Sequence, residues 1–250
     1  MKIIACIKRV PTTDAQAKIT PDGQSLDAAG FQYMTSFYDE IAVEQAILTK
    51  EALEGEVTVL TIGPSEVSKE VRECIAKGAD GGVILVDPEW ASRDALSTAK
   101  TLAAQLTSMG AELAFFGKVA TDRDNGAVGP MVATLMGWAC VTSVVELDIK
   151  ADGGTAKRET ENGMETVEFS LPAIITCDKG LNEPRYAGLK GIMAAKKKPL
   201  LEIPVDSTPN QAQVTRLELP APRSAGRIVG EGADAVPALI DALRNEAKVL

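Results

Sequence analysis

Apolar residues recur in two alternating periods over the first 150 positions. Short, apolar, β-branched runs at residues 2–8, 56–62, 82–86, 112–116 and 139–147 have the length and makeup of buried strands. Between the first two, Ile41, Ala42, Gln45, Ile47, Leu48 and Ala52 fall at helical intervals, which predicts a helix over residues 39–53 starting near Asp39. Gly63 and Pro64 close the second strand. Ser65 is expected to cap a helix that runs to Lys77 and is ended by Gly78. Further helices are expected at residues 92–109, ended by Gly110, and from near Asn125 to about Met136. Strands and helices in alternation predict an α/β fold, a doubly wound and mostly parallel sheet with helices on both faces.

The period changes after residue 150. Asp152, Gly153 and Gly154 read as a turn, and two alternating segments, 155–160 and 164–170, flank Asn162-Gly163. Asn-Gly in that setting is a strong hairpin signal. Residues 171–177 read as one more strand. Beyond Pro204, Pro209, Pro220 and Pro222 accompany few apolar residues up to Gly232, so this stretch is expected to be disordered or laid against another surface. Residues 237–250 read as a short amphipathic helix with Leu239, Ile240 and Leu243 on one side. The domain reading is one unit over residues 1–204, with a hairpin insert at about 150–176 and a loop at about 177–199. An extended arm over residues 205–250 is expected to pack on a partner chain.

Composition narrows the function classes. A net charge of −9, from 26 basic and 35 acidic residues, argues against nucleic acid as the main partner. The chain has no histidine, which removes histidine-based triads and the usual neutral-pH base. Cys6, Cys74, Cys140 and Cys177 form no C-x-x-C pair, so they are expected to be buried thiols and no metal site is expected. No apolar run nears the roughly 20 residues of a membrane span, and the chain is expected to be cytoplasmic.

Two stretches carry candidate chemistry. In a doubly wound sheet ligands bind beyond the carboxyl ends of the strands, where strand order reverses. The first and fourth strands are expected to flank that point, because their exits, residues 9–17 and 117–128, are long and polar. The segment GKVATDRDNGAVGPM offers backbone N–H groups at a helix start, suited to a phosphate. The alternative is an ordinary turn capped by Asp124 or Asn125. The second stretch is LNEPRYAGLKGIMAAKKK, residues 181–198. It sets Leu189, Ile192 and Met193 beside Lys196, Lys197 and Lys198, a pattern suited to anchoring in a groove of an acidic partner. The alternative is a buried short helix with a solvated lysine end.

This second stretch resembles the recognition loop of electron transfer flavoprotein beta subunits. The resemblance extends, in order, to CIKRVP, FYDEIAVEQA, GADGGVILV with the GKVATDRDNGAVGP loop, and LPAIITCDKGLNEPRYAGLKGIMAAKKK, and so covers residues 1 to about 200. It implies an adenine-nucleotide-binding α/β fold and a heterodimer with an alpha subunit that binds FAD. That assembly carries electrons from acyl-CoA-type dehydrogenases to a quinone reductase or another acceptor. This chain would hold a structural AMP and carry out no bond chemistry. Carried over by position, the AMP site would comprise Cys6, Ser36, Phe37, Tyr38, Asp39, Ile62, Gly117, Lys118, Val119, Ala120, Thr121, Asp122, Arg123, Asp124, Asn125, Gly126, Ala127 and Val128. Its phosphate would meet the N–H groups of Gly126, Ala127 and Val128, and Tyr38 would lie near the flavin. Leu189 corresponds to the anchor for the dehydrogenase, with Ile192, Met193, Lys196 and Lys197 around it. Glu159 corresponds to an acidic residue that governs the partner's mobile flavin domain.

Two positions depart from the family pattern. Ser36 and Phe37 replace the usual Asn-Pro, and NGAVGP resembles the loop of electron-bifurcating relatives, in which a second FAD replaces AMP. Arg123 stands where those relatives have glycine. The rival readings are a bifurcating subunit, a stand-alone nucleotide-binding stress-type protein, and a small-molecule enzyme using Asp122 and Asp124.

Overall fold

The computed structural model describes residues 1–205, 208–223 and 225–250. Contacts divide the chain into two units, Met1–Lys18 with Asp27–Thr215, and Ile19–Leu26 with Arg216–Leu250. In the first unit the chain runs through β1 (Lys2–Cys6), β2 (Arg9–Pro11), β3 (Tyr33–Thr35), α1 (Phe37–Leu53), β4 (Glu56–Gly63), α2 (Ser68–Lys77), β5 (Gly81–Val86), α3 (Ala95–Met109), β6 (Leu113–Gly117) and α4 (Val128–Met136). There follow β7 (Ala139–Ile149), β8 (Gly153–Thr160), β9 (Gly163–Ser170), β10 (Ala173–Cys177), α5 (Leu189–Ala195) and β11 (Leu200–Pro204). The second unit holds the isolated bridge Ile19–Leu26 and helix α6 (Val236–Asp241).

Among the described residues, nine strands form one sheet in the order β11-β5-β4-β1-β6-β10-β7-β8-β9. The pairs from β11 to β7 are parallel, whereas β7, β8 and β9 run antiparallel as the hairpin insert. The doubly wound reading is therefore correct, and strand order reverses between β1 and β6. Successive side chains of a strand point to opposite faces. Ile3 and Ala5 accordingly join Ile41, Ala46, Val71 and Ile75 of α1 and α2 on one face. Ile4 and Cys6 join Leu102, Leu106 and Val132 of α3 and α4 on the other. Phe115 and Phe116 divide between the two layers in the same way. Each fully buried Leu, Ile or Phe contributes about 1.5–3 kcal/mol.

Several sequence expectations are corrected. The first strand ends at Cys6 rather than Lys8, because the Lys8 N–H donates to the Asp39 carboxylate at 2.8 Å. Arg9–Pro11 then pairs antiparallel with Tyr33–Thr35, a two-stranded sheet that the apolar pattern does not mark. Ser65 is no cap: its hydroxyl donates to Glu202 at 2.9 Å, and α2 starts at Ser68 after a 3-10 turn. The third helix starts at Ala95 rather than residue 92, with the Asp94 carboxylate accepting the Ser97 N–H at 2.6 Å. The fourth starts at Val128 rather than Asn125. Gly153 and Gly154 belong to β8 rather than to the turn before it, and the last strand of the insert region begins at Ala173. β11 was not anticipated; it extends the sheet beside β5. Cys6, Cys74 and Cys177 are buried, but Cys140 is exposed. The C-terminal helix is Val236–Asp241 followed by a wider turn over Ala242–Glu246, shorter than the expected span. Asp206, Ser207 and Ser224, within the expected arm, lie outside the described residues.

Candidate functional site

The crevice between β1 and β6 is organised by one carboxylate. Asp39, in the first turn of α1, is buried and accepts the N–H of Lys8 at 2.8 Å and that of Gly117 at 2.9 Å. It thereby ties the exits of the two strands that flank the reversal to the start of a helix. Gly117 has no alternative here, since a Cβ would lie 2.5 Å from Asp39 Oδ1. Burial pushes the Asp39 carboxyl up to about 7, against the two N–H donors and the Lys8 ammonium, which pull it down. Burial and the nearby Asp39 charge also raise the Cys6 and Cys177 thiols, so both are kept protonated.

The loop after β6 is exposed from Thr121 to Gly126 and takes positive φ at Asp124 (48°) and Gly126 (57°). It is held at several points. Lys8 Nζ pairs with Asp122 at 2.6 Å, and the Thr121 N–H donates to Ser36 Oγ at 3.3 Å. Arg123 donates to the carbonyl oxygens of Ala91 (2.6 Å) and Arg93 (3.2 Å) in the turn before α3. The Lys118 N–H donates to Cys177 O at 2.8 Å, and its ammonium pairs with Asp178, which raises it. Tyr38 and Glu159 lie within electrostatic reach of the same ammonium.

Helix α4 opens this loop's far end without a side-chain cap. Its N-cap is Ala127, and neither Asp124 nor Asn125 reaches its amides. The capped-turn alternative is thus not what the chain builds. Free first-turn N–H groups, with the positive end of the helix dipole behind them, suit an anionic group. Of the predicted cradle residues, Asp39 and Ser36 at the start of α1 are bonded to the 117–128 segment, while Cys6 and Ile62 lie near the ends of β1 and β4. Phe37 is exposed rather than packed into the crevice.

The residues of the second stretch form a separate group. Leu189, Ile192 and Met193 sit on α5 with 79%, 45% and 59% of their surface exposed, and Lys196 and Lys197 follow in the open. A short helix does form, but only Ala195 within it is buried, so the buried-helix alternative fails. Lys198 differs from its two neighbours, because its ammonium donates to Ala79 O at 2.6 Å. Sequence reasoning missed Lys8, Arg72 and Arg185 as organising groups. No local pattern marks them, because their partners lie far away along the chain.

Comparison with known proteins is consistent along the whole chain. Residues 32–208 match the family described as Electron transfer flavoprotein domain. The chain is 34% identical over 260 residues to "Electron transfer flavoprotein subunit beta" of Bacillus subtilis (strain 168), covering 100% of both chains. It is 37% identical over 251 residues to the protein of the same name from Bradyrhizobium diazoefficiens, again covering 100% of both. It is 36% identical over 261 residues to "Electron transfer flavoprotein subunit beta, mitochondrial" of Oryza sativa subsp. indica, with 100% of each covered.

Proposed function

The chain belongs to the electron transfer flavoprotein beta-subunit family, and we propose that it supplies the docking surface and the nucleotide-filled base of a heterodimer with an alpha subunit. The alpha subunit would hold most of the FAD, which supplies the redox chemistry when bound. This chain would dock an acyl-CoA-type dehydrogenase as electron donor, and a quinone reductase or another acceptor would follow. Among the described residues no helix is long and apolar enough to cross a membrane.

The crevice would hold AMP. Residues Gly126, Ala127 and Val128 would present N–H groups to its phosphate at the uncapped start of α4. Ser36, Asp39, Cys6 and Ile62 would form the floor, with Asp39 fixing the two strand exits that support it. Tyr38 and Lys118 would border the flavin of the partner, and Glu159 its mobile domain. Arg123, bonded to the carbonyl oxygens of Ala91 and Arg93 in the turn before α3, would tie the loop down and favour AMP over a second FAD. The arm beyond residue 204 would pack on the alpha subunit, as its exposed Val214, Leu219 and Ile228 suggest.

The observation that carries this reading is the exposed apolar set Leu189, Ile192 and Met193 beside Lys196 and Lys197 on α5. It is tested by purifying the chain with its co-expressed alpha subunit, releasing bound nucleotides and quantifying them against protein. Equal FAD and AMP are expected. Two FAD and no AMP would assign the bifurcating role instead, and a folded, nucleotide-free chain purified alone would overturn the assembly.

A further inference from the structure

Helix α5 is seven residues long. A helix this short has no stability of its own in water, so its order must come from groups outside it. Four residues supply that order. Gly191 lies directly on α2, where a Cβ would come within 2.2 Å of Ala76 O, so only glycine permits the approach. Arg72 of α2 donates through Nη1 to the carbonyl oxygen of Ala195, which the end of the helix leaves open, and to that of Lys198 in the segment that follows. Ahead of the helix, Arg185 Nε donates to both oxygens of the buried Glu44 at 2.9 and 3.0 Å. Its Nη groups meet Glu51 at 2.7 and 3.1 Å. Asn182 Nδ2 adds bonds to Ile41 O and Gln45 Oε1, each 3.1 Å. The helix is therefore braced by α2 at its end and by α1 on its approach, while its apolar side chains stay free.

We propose that Arg72 and Arg185 are positioning residues for docking: they hold Leu189, Ile192 and Met193 in one arrangement before the donor protein arrives. This rests on the docking function proposed above. The ordering cost of the segment is then met during folding rather than at encounter, which raises affinity without any contact from either arginine to the partner. Arginine suits the approach in particular, because the planar fork of Arg185 serves Glu44 and Glu51 at once, whereas Arg72 reaches its two carbonyls from one nitrogen.

The test uses the purified heterodimer with its flavin. Reduction by an acyl-CoA dehydrogenase gives KM and kcat, and limited trypsinolysis at Lys190, Lys196 and Lys197 reports the order of α5 directly. Arg72→Ala is expected to raise KM about tenfold, equivalent to one step of 1.4 kcal/mol, with kcat and flavin content unchanged and trypsin cleavage faster. Arg72→Lys recovers most of the loss, since an ammonium can still serve one of the two carbonyls. Arg185→Lys raises KM less than Arg72→Ala. The Arg72→Ala/Leu189→Ala pair should lose little beyond Leu189→Ala alone, because the brace acts through the anchor it presents. Accelerated cleavage with a wild-type KM in Arg72→Ala, or full additivity of the pair, would overturn the positioning role alone. A wild-type KM for Leu189→Ala would overturn the docking function itself.

Discussion

Both functional regions hang on helix α1, yet they use it in opposite ways. Its first turn carries Asp39 to the exits of β1 and β6, while its later turns carry the buried Glu44 and the exposed Glu51 to Arg185. The crevice is built from a buried carboxylate, strand ends and free helix amides, so its chemistry lies mostly in the backbone. Helix α5, the proposed docking element, is built from exposed side chains on a short segment that other elements hold. Side chains should therefore be exchangeable around much of the crevice loop but not at the points where backbone meets carboxylate. In the docking helix the reverse holds.

The largest effect is expected at Gly117. A Cβ added there meets Asp39 Oδ1 at 2.5 Å and Asp39 N at 2.8 Å, both part of a packed helix start. Gly117→Ala should cost about 3 kcal/mol in denaturant unfolding and empty the crevice of adenylate. An unchanged unfolding midpoint would show that the crevice is not set by this contact and would break the contrast.

Asp39→Asn comes next. An asparagine accepts one of the two N–H groups and turns its own amide hydrogens toward the other, so adenylate retention should fall. The pH dependence sharpens the point. The unfolded carboxyl titrates near 3.8 and the folded one at about 7. Between those values the folded protein holds a proton that the unfolded chain has released. Stability from this group therefore falls as pH rises from about 4 to 7 and stays level above. Unfolding free energies measured across that window should slope downward in the wild type and less so in Asp39→Asn; equal slopes would assign the titration elsewhere.

What the sequence discloses differs between the two regions for the same reason. Strand and helix periods set the reversal point between β1 and β6, and with it the crevice, because buried apolar side chains must alternate between two layers. The start of α4 was placed three residues early because Asp124 and Asn125 look like caps, yet Asp124 adopts a left-handed conformation and neither reaches the helix. Ser65 misleads in the same manner: its type suits a cap, but its hydroxyl is engaged by Glu202 instead. For Leu189, Ile192 and Met193 the pattern alone leaves an exposed anchor and a buried short helix both open, and only the family resemblance favours the exposed set. The braces were not legible. Arg72 and Arg185 act across 123 and 141 positions of the chain, and no local pattern encodes a partner that far away.

At the docking helix the expected effects are smaller and more selective. Leu189 is the most exposed of the three apolar residues on α5 and rests on no core, so Leu189→Ala should leave unfolding and flavin content unchanged. Reduction by the donor dehydrogenase should weaken by about 2 kcal/mol if the residue fills a pocket of the partner. Loss of flavin from this variant would mean that the helix supports the fold, and the contrast with the crevice would disappear.

The smallest effect, and the finest division, lies among three consecutive lysines. Lys196 and Lys197 are exposed, whereas Lys198 donates to Ala79 O and lies 3.9 Å from Asp80. Charges on an interface rim act mainly on the rate of encounter, and salt screens them over about 8 Å at physiological ionic strength. Lys196→Gln with Lys197→Gln should slow association about threefold at low salt, and the difference should vanish at high salt. Lys198→Gln should instead lower the unfolding midpoint slightly and leave the salt dependence of association intact, because its ammonium is already engaged within the fold. Stopped-flow reduction at several ionic strengths, run beside thermal unfolding, separates the two. Equal salt slopes for all three substitutions would mean that the run acts as one field, with Lys198 steering as well as bracing.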